Sequence, residues 1–476
     1  MFFWAILVAV LGFVAVLLLR AAALKPKAVA NMDVPTVLVP EKAVEHLAEM
    51  IKIPTISNYD KALMDEDAFE AFRTLLAAMY PATHASLASV RIGHTGVLYR
   101  WRGKSDKNPT VLMSHYDVVP VNAERWQHAP FGAEIIDGEL WGRGTLDTKI
   151  TTLGIFESIE SLLKGGFVPE NDVYISLAGD EEVSGESTPA IVAYFKENGI
   201  APAMVLDEGG AIVSGIFPGV AKPIAVVGIG EKGMMNVQLH CQSAGGHAST
   251  PKLPSALGQL GKAMTDCEKH PFKAQITKPV QELFTTVGAH APFGLRIVFA
   301  NLWCFGGLLK AISPKLGGEV AAMLRTTMAF TMAKGSAQIN VLPKEATVGL
   351  NMRLLNTDTP ENAAARLSQI INNPNVKVEV THSQKASPYA DTEGANWQRV
   401  ANAIELTWPE AIVSPYLMIA CSDSRHYSAI CRDVYKFSAM QLSKEQRDMI
   451  HNDNERIPLA TIGKTVEFYL RIVQTL

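Results

Sequence analysis

The chain has 476 residues, enough for two or three domains and a large apolar core. Charged residues make up 19% and the net charge is -4, which argues against a polyanion binder and a disordered tail; no basic stripe with interleaved aromatics marks a nucleic-acid partner. Cysteine is sparse and odd in number (Cys241, Cys267, Cys304, Cys421, Cys431) with no Cys-x-x-Cys pair, which argues against a disulfide framework or a thiolate zinc site, so any metal falls to His, Asp and Glu.

In chain order, residues 1–19 carry no charge and Arg20 ends the run, a length that can cross a bilayer. The segment reads as a membrane anchor or a signal peptide over residues 1–24. Ala21 and Ala23 resemble a cleavage site, but the basic stretch that usually precedes one is missing, and length and flanks favour an anchor. Counting Arg20, Lys25 and Lys27 alone would keep the main domain in the cytoplasm. Anchored exported enzymes often break that rule, and the exported side is favoured. A Pro-punctuated linker is expected over 25–40. Amphipathic helices follow at 42–51 and 65–79. Strands at 111–113, 173–178 and 204–206 then alternate with helices at 153–163 and 191–195, which predicts a largely parallel sheet covered by helices on both faces. From about residue 229 the texture changes. Alternating strands at 237–240, 346–354 and 376–380, with helices at 255–267 and 361–371, suggest a smaller α+β unit with one solvated sheet face. Residues 271–335 are apolar and Gly-rich without a clear period. Helices at 396–406 and 462–473 return to the first unit. The expected division is 41–228 and 386–476 for the main domain and 229–385 for the inserted one.

Three strands share one ending. The run 111–113 leads into His115 and Asp117, 173–178 into Glu181 and Glu182, and 204–206 into Asp207 and Glu208. A Gly-rich turn, Gly142-Arg143-Gly144, carries Asp147 toward the next helix. Ligands bind at the carboxyl ends of strands in open α/β sheets. So many carboxylates in one closed site raise each other's pKa unless a cation joins them. Three carboxylates (Asp147, Glu182, Asp207), two neutral histidines and a hydroxide carry a charge that balances two divalent ions, which favours a two-metal site. Singly, each of these segments is more often an ordinary surface feature. Together, at matching strand ends, they are not independent accidents.

These segments resemble the motifs of the M20 metallopeptidases, the aminoacylase-1/carboxypeptidase family. The likeness rests on His115-Tyr116-Asp117-Val118-Val119-Pro120, Gly142 to Lys149, Gly179-Asp180-Glu181-Glu182, Asp207-Glu208-Gly209 and Ser424-Arg425-His426. Gly245 to Ser249 and Asn340 to Pro343 resemble motifs of the family's lid domain, and the wording is nearest to the carboxypeptidase S and N-acyl-amino-acid hydrolase branch. The resemblance implies a zinc-peptidase-like α/β catalytic domain with an inserted lid/dimerisation domain. It implies two zinc ions per chain, with cobalt or manganese as substitutes. Asp147 would bridge them, His115 and Asp207 would complete one site, and Glu182 and His426 the other. Asp117 would orient His115 and Glu181 would be the general base, both counted with His247 as catalytic. His247 would polarise the scissile carbonyl. In several relatives that His comes from the partner subunit, which leaves a homodimer open. Arg353 and Asn340 would bind the substrate's carboxylate. The implied reaction is hydrolysis of a peptide or N-acyl amino acid by a metal-bridging hydroxide. The alternatives are deacetylation or dipeptide cleavage on the same scaffold, and a silent metal-binding membrane scaffold, which the presence of Glu181 disfavours. The apolar stretch 293–309 matches no motif. It reads as an insertion that lines an acyl pocket or faces a membrane.

Overall fold

The computed structural model describes residues 1–27, 39–315 and 318–476, so most of the expected linker lies outside them. The chain first builds β1 (Ala88–Ile92), β2 (Gly96–Trp101), β3 (Ser105–His115), β4 (Asn171–Ala178), β5 (Met204–Val213) and β6 (Ile224–Glu231). It leaves that sheet for β7 (Gly233–Gln242), β8 (Thr327–Lys334), β9 (Glu345–Leu354) and β10 (Val376–Gln384). It then returns with β11 (Ile412–Met418) and β12 (Val434–Leu442).

The main sheet has eight strands in the order β1-β2-β4-β3-β5-β12-β6-β11. β3 pairs in parallel with β4 and β5, and β12 pairs in parallel with β5. The edge formed by β1 and β2 is antiparallel, because three residues join them and so short a link cannot return a strand in parallel. The sheet is therefore mixed, with parallel pairing through the strands that carry the motifs. Its two faces are read directly from alternation: Leu112 enters one core cluster while Val111 and Met113 enter the other. Helices Lys149–Lys164 and Leu459–Val473 cover the first face, and Ser187–Glu197 the second.

The inserted unit is a four-stranded antiparallel sheet, β8-β9-β7-β10. Val237 and Leu239 of β7 and Val348, Leu350 and Met352 of β9 pack with Leu260 and Leu367 of helices Ala256–Lys269 and Pro360–Ile371 in a core of their own. The other face of this sheet is half-exposed, as the alternating pattern implied.

Among the described residues of 271–335, a stretch with no single period, four α-helices precede β8. Lys278–Gly288 buries Val280, Leu283, Phe284 and Val287 against the main core. Phe293–Ala300 and Leu302–Ile312 are apolar nearly all round, so they lack the one-sided stripe that marks a surface helix. At the N-terminus, Phe2–Ala23 is a 22-residue helix in which only Leu17 and Ala21 are buried.

The two long helices on the first face meet at Gly154. A Cβ there would stand 2.5 Å from Cδ2 of the fully buried Tyr469. Replacing Gly154 by Val should therefore destabilise the domain by about 1–3 kcal/mol through overpacking, more than the few tenths of a kcal/mol gained in helix propensity. A lowered urea midpoint would report it; an unchanged midpoint would show that the helices separate freely.

Candidate metal centre

Register brings the motif segments together. His115 closes β3 opposite Ala178 of β4, three residues before Glu181, and Leu112 pairs with Leu206 just before Asp207. His115 is buried, with Nδ1 3.1 Å from the Asp117 carbonyl and 3.3 Å from its carboxylate. A carbonyl only accepts, so Nδ1 donates and Nε2 is the ring nitrogen left to bind a cation. Nε2 lies 3.1 Å from Asp147 and 3.2 Å from Glu208. Asp117 is fully buried and also accepts from the backbone N–H groups of Glu181 and Glu182, at 3.2 and 3.1 Å. One carboxylate thus fixes both the histidine and the loop bearing the two glutamates.

Two sets of ligand atoms converge, one from His115, Asp147 and Glu182, the other from His115, Glu181 and Glu208. His451 approaches from outside, its Nε2 2.9 Å from Asp147 and 3.0 Å from Glu182. It follows helix Lys444–Met449 and sits in left-handed backbone, φ 61°. The turn bearing Asp147 is organised by Glu455, fully buried, whose Oε1 accepts from the N–H groups of Gly144, Leu146 and Asp147 at 3.1, 2.7 and 3.3 Å. Its other oxygen pairs with Arg143 at 2.6 Å, and Arg143 donates to the Asn452 carbonyl. The Gly-rich turn and the His451 loop are thereby one hydrogen-bonded unit.

Two expected ligands are placed differently. Asp207 accepts from the Ser424 N–H at 3.1 Å, and the adjacent Glu208 reaches His115 instead. Neighbouring strand residues point to opposite faces. β5 also bulges here, with register against β12 jumping from Asp207 to Gly210. His426 lies half-buried on the turn Asp423–Ala429, where burial and then Arg425 push its imidazole down to about 4. The histidine beside Glu182 is His451. A late histidine was expected, but spacing along the chain does not say which of the two folds back; the Asn-Asp-Asn run after His451, a turn-forming composition, is the signal that was available.

Among the described residues, no hydrogen bond or ion pair joins His247, Asn340 or Arg353 to this cluster. His247 is exposed on a two-residue ribbon pairing Gly246–His247 with Val341–Leu342, and Asn340 adjoins it, its carbonyl accepting from the Ala248 N–H. Arg353 ends β9 at the junction with the main domain, Nη1 2.9 Å from Cys421 Sγ.

Electrostatics show what the cluster lacks. Burial pushes the Glu208 carboxyl up to about 7 against the pull of His115. Burial also raises Glu181 well above its usual range, and burial and Asp147 raise Glu182. Burial opposes ionisation of Asp147 too, but bonds from His115 and His451 win and hold it low. His451 rises to about 10, chiefly through Asp147 and Glu182. Without another cation, protons must therefore supply the missing positive charge. A set of carboxylate oxygens and two imidazole nitrogens fits divalent ions in their place.

Metal content should separate these roles. His451→Ala is expected to lose bound metal while His426→Ala retains it. Asp117→Asn should weaken metal affinity by about 10–100-fold, because it orients a ligand without being one. Equal metal loss in the two histidine variants would sink the assignment of His451.

The chain matches the model for peptidase family M20/M25/M40 over residues 111–475. It is 32% identical to the probable carboxypeptidase S-like 2 of Dictyostelium discoideum, over 93% of this chain and 87% of that one. It is 33% identical to an N-fatty-acyl-amino acid synthase/hydrolase of Xenopus tropicalis, over 99% and 94%. Among solved structures, an M20 family metallo-carboxypeptidase from Sulfolobus solfataricus superposes with a TM-score of 0.67 at 17% identity, covering 92% of this chain and 99% of that one. Human carnosine dipeptidase 1 gives 0.64 at 14% identity, covering 91% and 96%. The fold, the convergent carboxylates and histidines, and the matched length agree: the chain belongs to peptidase family M20/M25/M40 and is a metal-dependent hydrolase.

Proposed function

We propose that the chain is a two-zinc amidohydrolase that cuts an N-acyl or peptide amide bond next to a free carboxylate. The observation that carries this reading is the convergence of Asp147, Glu181, Glu182 and Glu208 with His115 and His451 at the strand ends. Asp147 touches both histidines, one with each carboxylate oxygen, and is the group suited to bridge two ions. Zinc suits the nitrogen–oxygen donor set, and ions held there would supply Lewis acidity and an acidified water. The likeness to an N-fatty-acyl-amino acid hydrolase over nearly the whole chain supports an N-acyl amino acid as the substrate.

Each residue then has a task. His115 and His451 hold nitrogen donors in place, His115 through Asp117. Glu181 adjoins Glu182 on a short turn, so one carboxylate serves as a ligand while the other stays beside the water. Glu181 takes the proton from the attacking water and passes it to the leaving nitrogen. Arg353, held at the domain junction, pairs with the substrate's carboxylate. His247 and Asn340 approach the scissile carbonyl from the lid ribbon. The N-terminal helix anchors the enzyme in a membrane.

Two substitutions test this. Glu181→Gln should reduce kcat by about 10²–10⁴-fold with zinc content unchanged; loss of an ion instead would make Glu181 a ligand, since it also lies in a ligand set with His115 and Glu208. Arg353→Ala should raise KM for a carboxylate substrate by about 10–100-fold, the worth of a charged hydrogen-bond pair at about 1.5–3 kcal/mol. Hydrolysis of the matching methyl ester should be unaffected, and an equal loss on both would remove Arg353 from recognition.

A further inference from the structure

The elbow formed by Phe293–Ala300 and Leu302–Lys315 is bent by 101° and has no role in the metal centre. Its surface is apolar: Phe293, Trp303 and Leu308 are each about half-exposed or more. It packs along the C-terminal half of the N-terminal helix. The rings of Phe13 and Trp303 meet edge to face at 5.9 Å, and Arg20 Nε donates to the Ala300 carbonyl at 3.2 Å. Asn301, fully buried at the bend, donates to the carbonyls of Leu17 at 3.1 Å and Ile297 at 2.9 Å and accepts from the Trp303 indole. One side chain thus ties both arms of the elbow to the helix.

We propose that this elbow is a second membrane-contact element, seated in the same bilayer as the N-terminal helix. The argument is one of depth, and it rests on the helix being an anchor. Residues 1–19 are uncharged, so a spanning helix places Arg20 at the boundary of the hydrocarbon. Phe13 lies seven residues earlier, about 10 Å along the axis at 1.5 Å per residue. Trp303, which touches Phe13, cannot stay in water while Phe13 is in lipid.

The chemistry of the elbow agrees. Arg296, its one charge before Lys310, turns back to the Ala291 carbonyl at 3.2 Å. The exposed Lys310 follows the apolar arm, where a long stem lets an ammonium reach the headgroups. The non-helical backbone at the bend is buried in protein, the condition under which irregular backbone is tolerated at membrane depth. Beyond the elbow, helix Gly318–Leu324 is linked through Glu319 to Arg447 at 3.2 Å, on the helix that leads to His451.

Spin labels in the full chain, reconstituted in phosphatidylcholine vesicles, test this. Labels are placed singly at Leu308→Cys, at Leu11→Cys in the helix and at the exposed Tyr59→Cys, all in a Cys304→Ser background. Collision rates with oxygen and with a water-soluble nickel chelate report depth. The Leu308 label should show an oxygen-to-nickel ratio several-fold above that at Tyr59 and approach that at Leu11. A Leu308 ratio equal to Tyr59 with a lipid-like Leu11 overturns the elbow and leaves the anchor standing. A water-like Leu11 overturns both. Broadening at Leu308 that disappears on dilution with unlabelled protein would make this face a contact between copies and also overturn the proposal.

Discussion

Four carboxylates in one buried cluster cannot all ionise without positive charge among them, and the organisation of this protein follows from that conflict. Among the described residues, the ion pairs made by Asp147, Glu182 and Glu208 are with histidines alone. The buried lysine and arginine nearby are committed elsewhere. Lys149 donates to the carbonyls of Met50 and Ile53, and Arg143 is paired with Glu455. Fixed cations are thus kept away from the cluster, and its charge is left for mobile ions to balance. An engaged lysine would have made the site stable without metal and useless as a metal-dependent centre.

The surrounding structure restrains groups that would otherwise repel one another. Asp117 gathers His115 and the Glu181 turn from one side. Glu455 gathers the Asp147 turn and, through Arg143, the loop of His451 from the other. Both are themselves buried carboxylates, tolerated because backbone N–H groups and, for Glu455, a guanidinium satisfy their oxygens. The strand ends give coarse position and these two residues give the fine one. Their contribution is geometric, and it reaches the metal through the ligands rather than by contact.

The inserted unit has its own core. What joins it to the main sheet is local: β6 runs almost directly into β7, and Arg353 meets Cys421 beside that junction. His247 and, next to it, Asn340 belong to a thin ribbon of this unit.

Much of this was legible in the sequence. Apolar strands ending in charged residues marked His115 and Glu182 as candidates and the Gly-rich turn marked Asp147, and the structure brings the three together. The alternating pattern of the inserted sheet was equally plain, since half-buried strands must alternate. Which of Asp207 and Glu208 lies beside His115 was not legible, because adjacent strand residues differ only in the face they take, and β5 bulges there. Nor was the placing of His451 beside Asp147 and Glu182, because the bonds through Arg143 and Glu455 that tie its loop to the Asp147 turn are long-range. The sequence read residues 293–309 as lining a pocket or facing a membrane, but their packing against the N-terminal helix, through Arg20 280 residues away, is a tertiary contact no local pattern encodes. Composition and period determined which residues could serve a metal and which must leave water. Side-chain direction and long-range pairing, which no local pattern encodes, decided which of them converge.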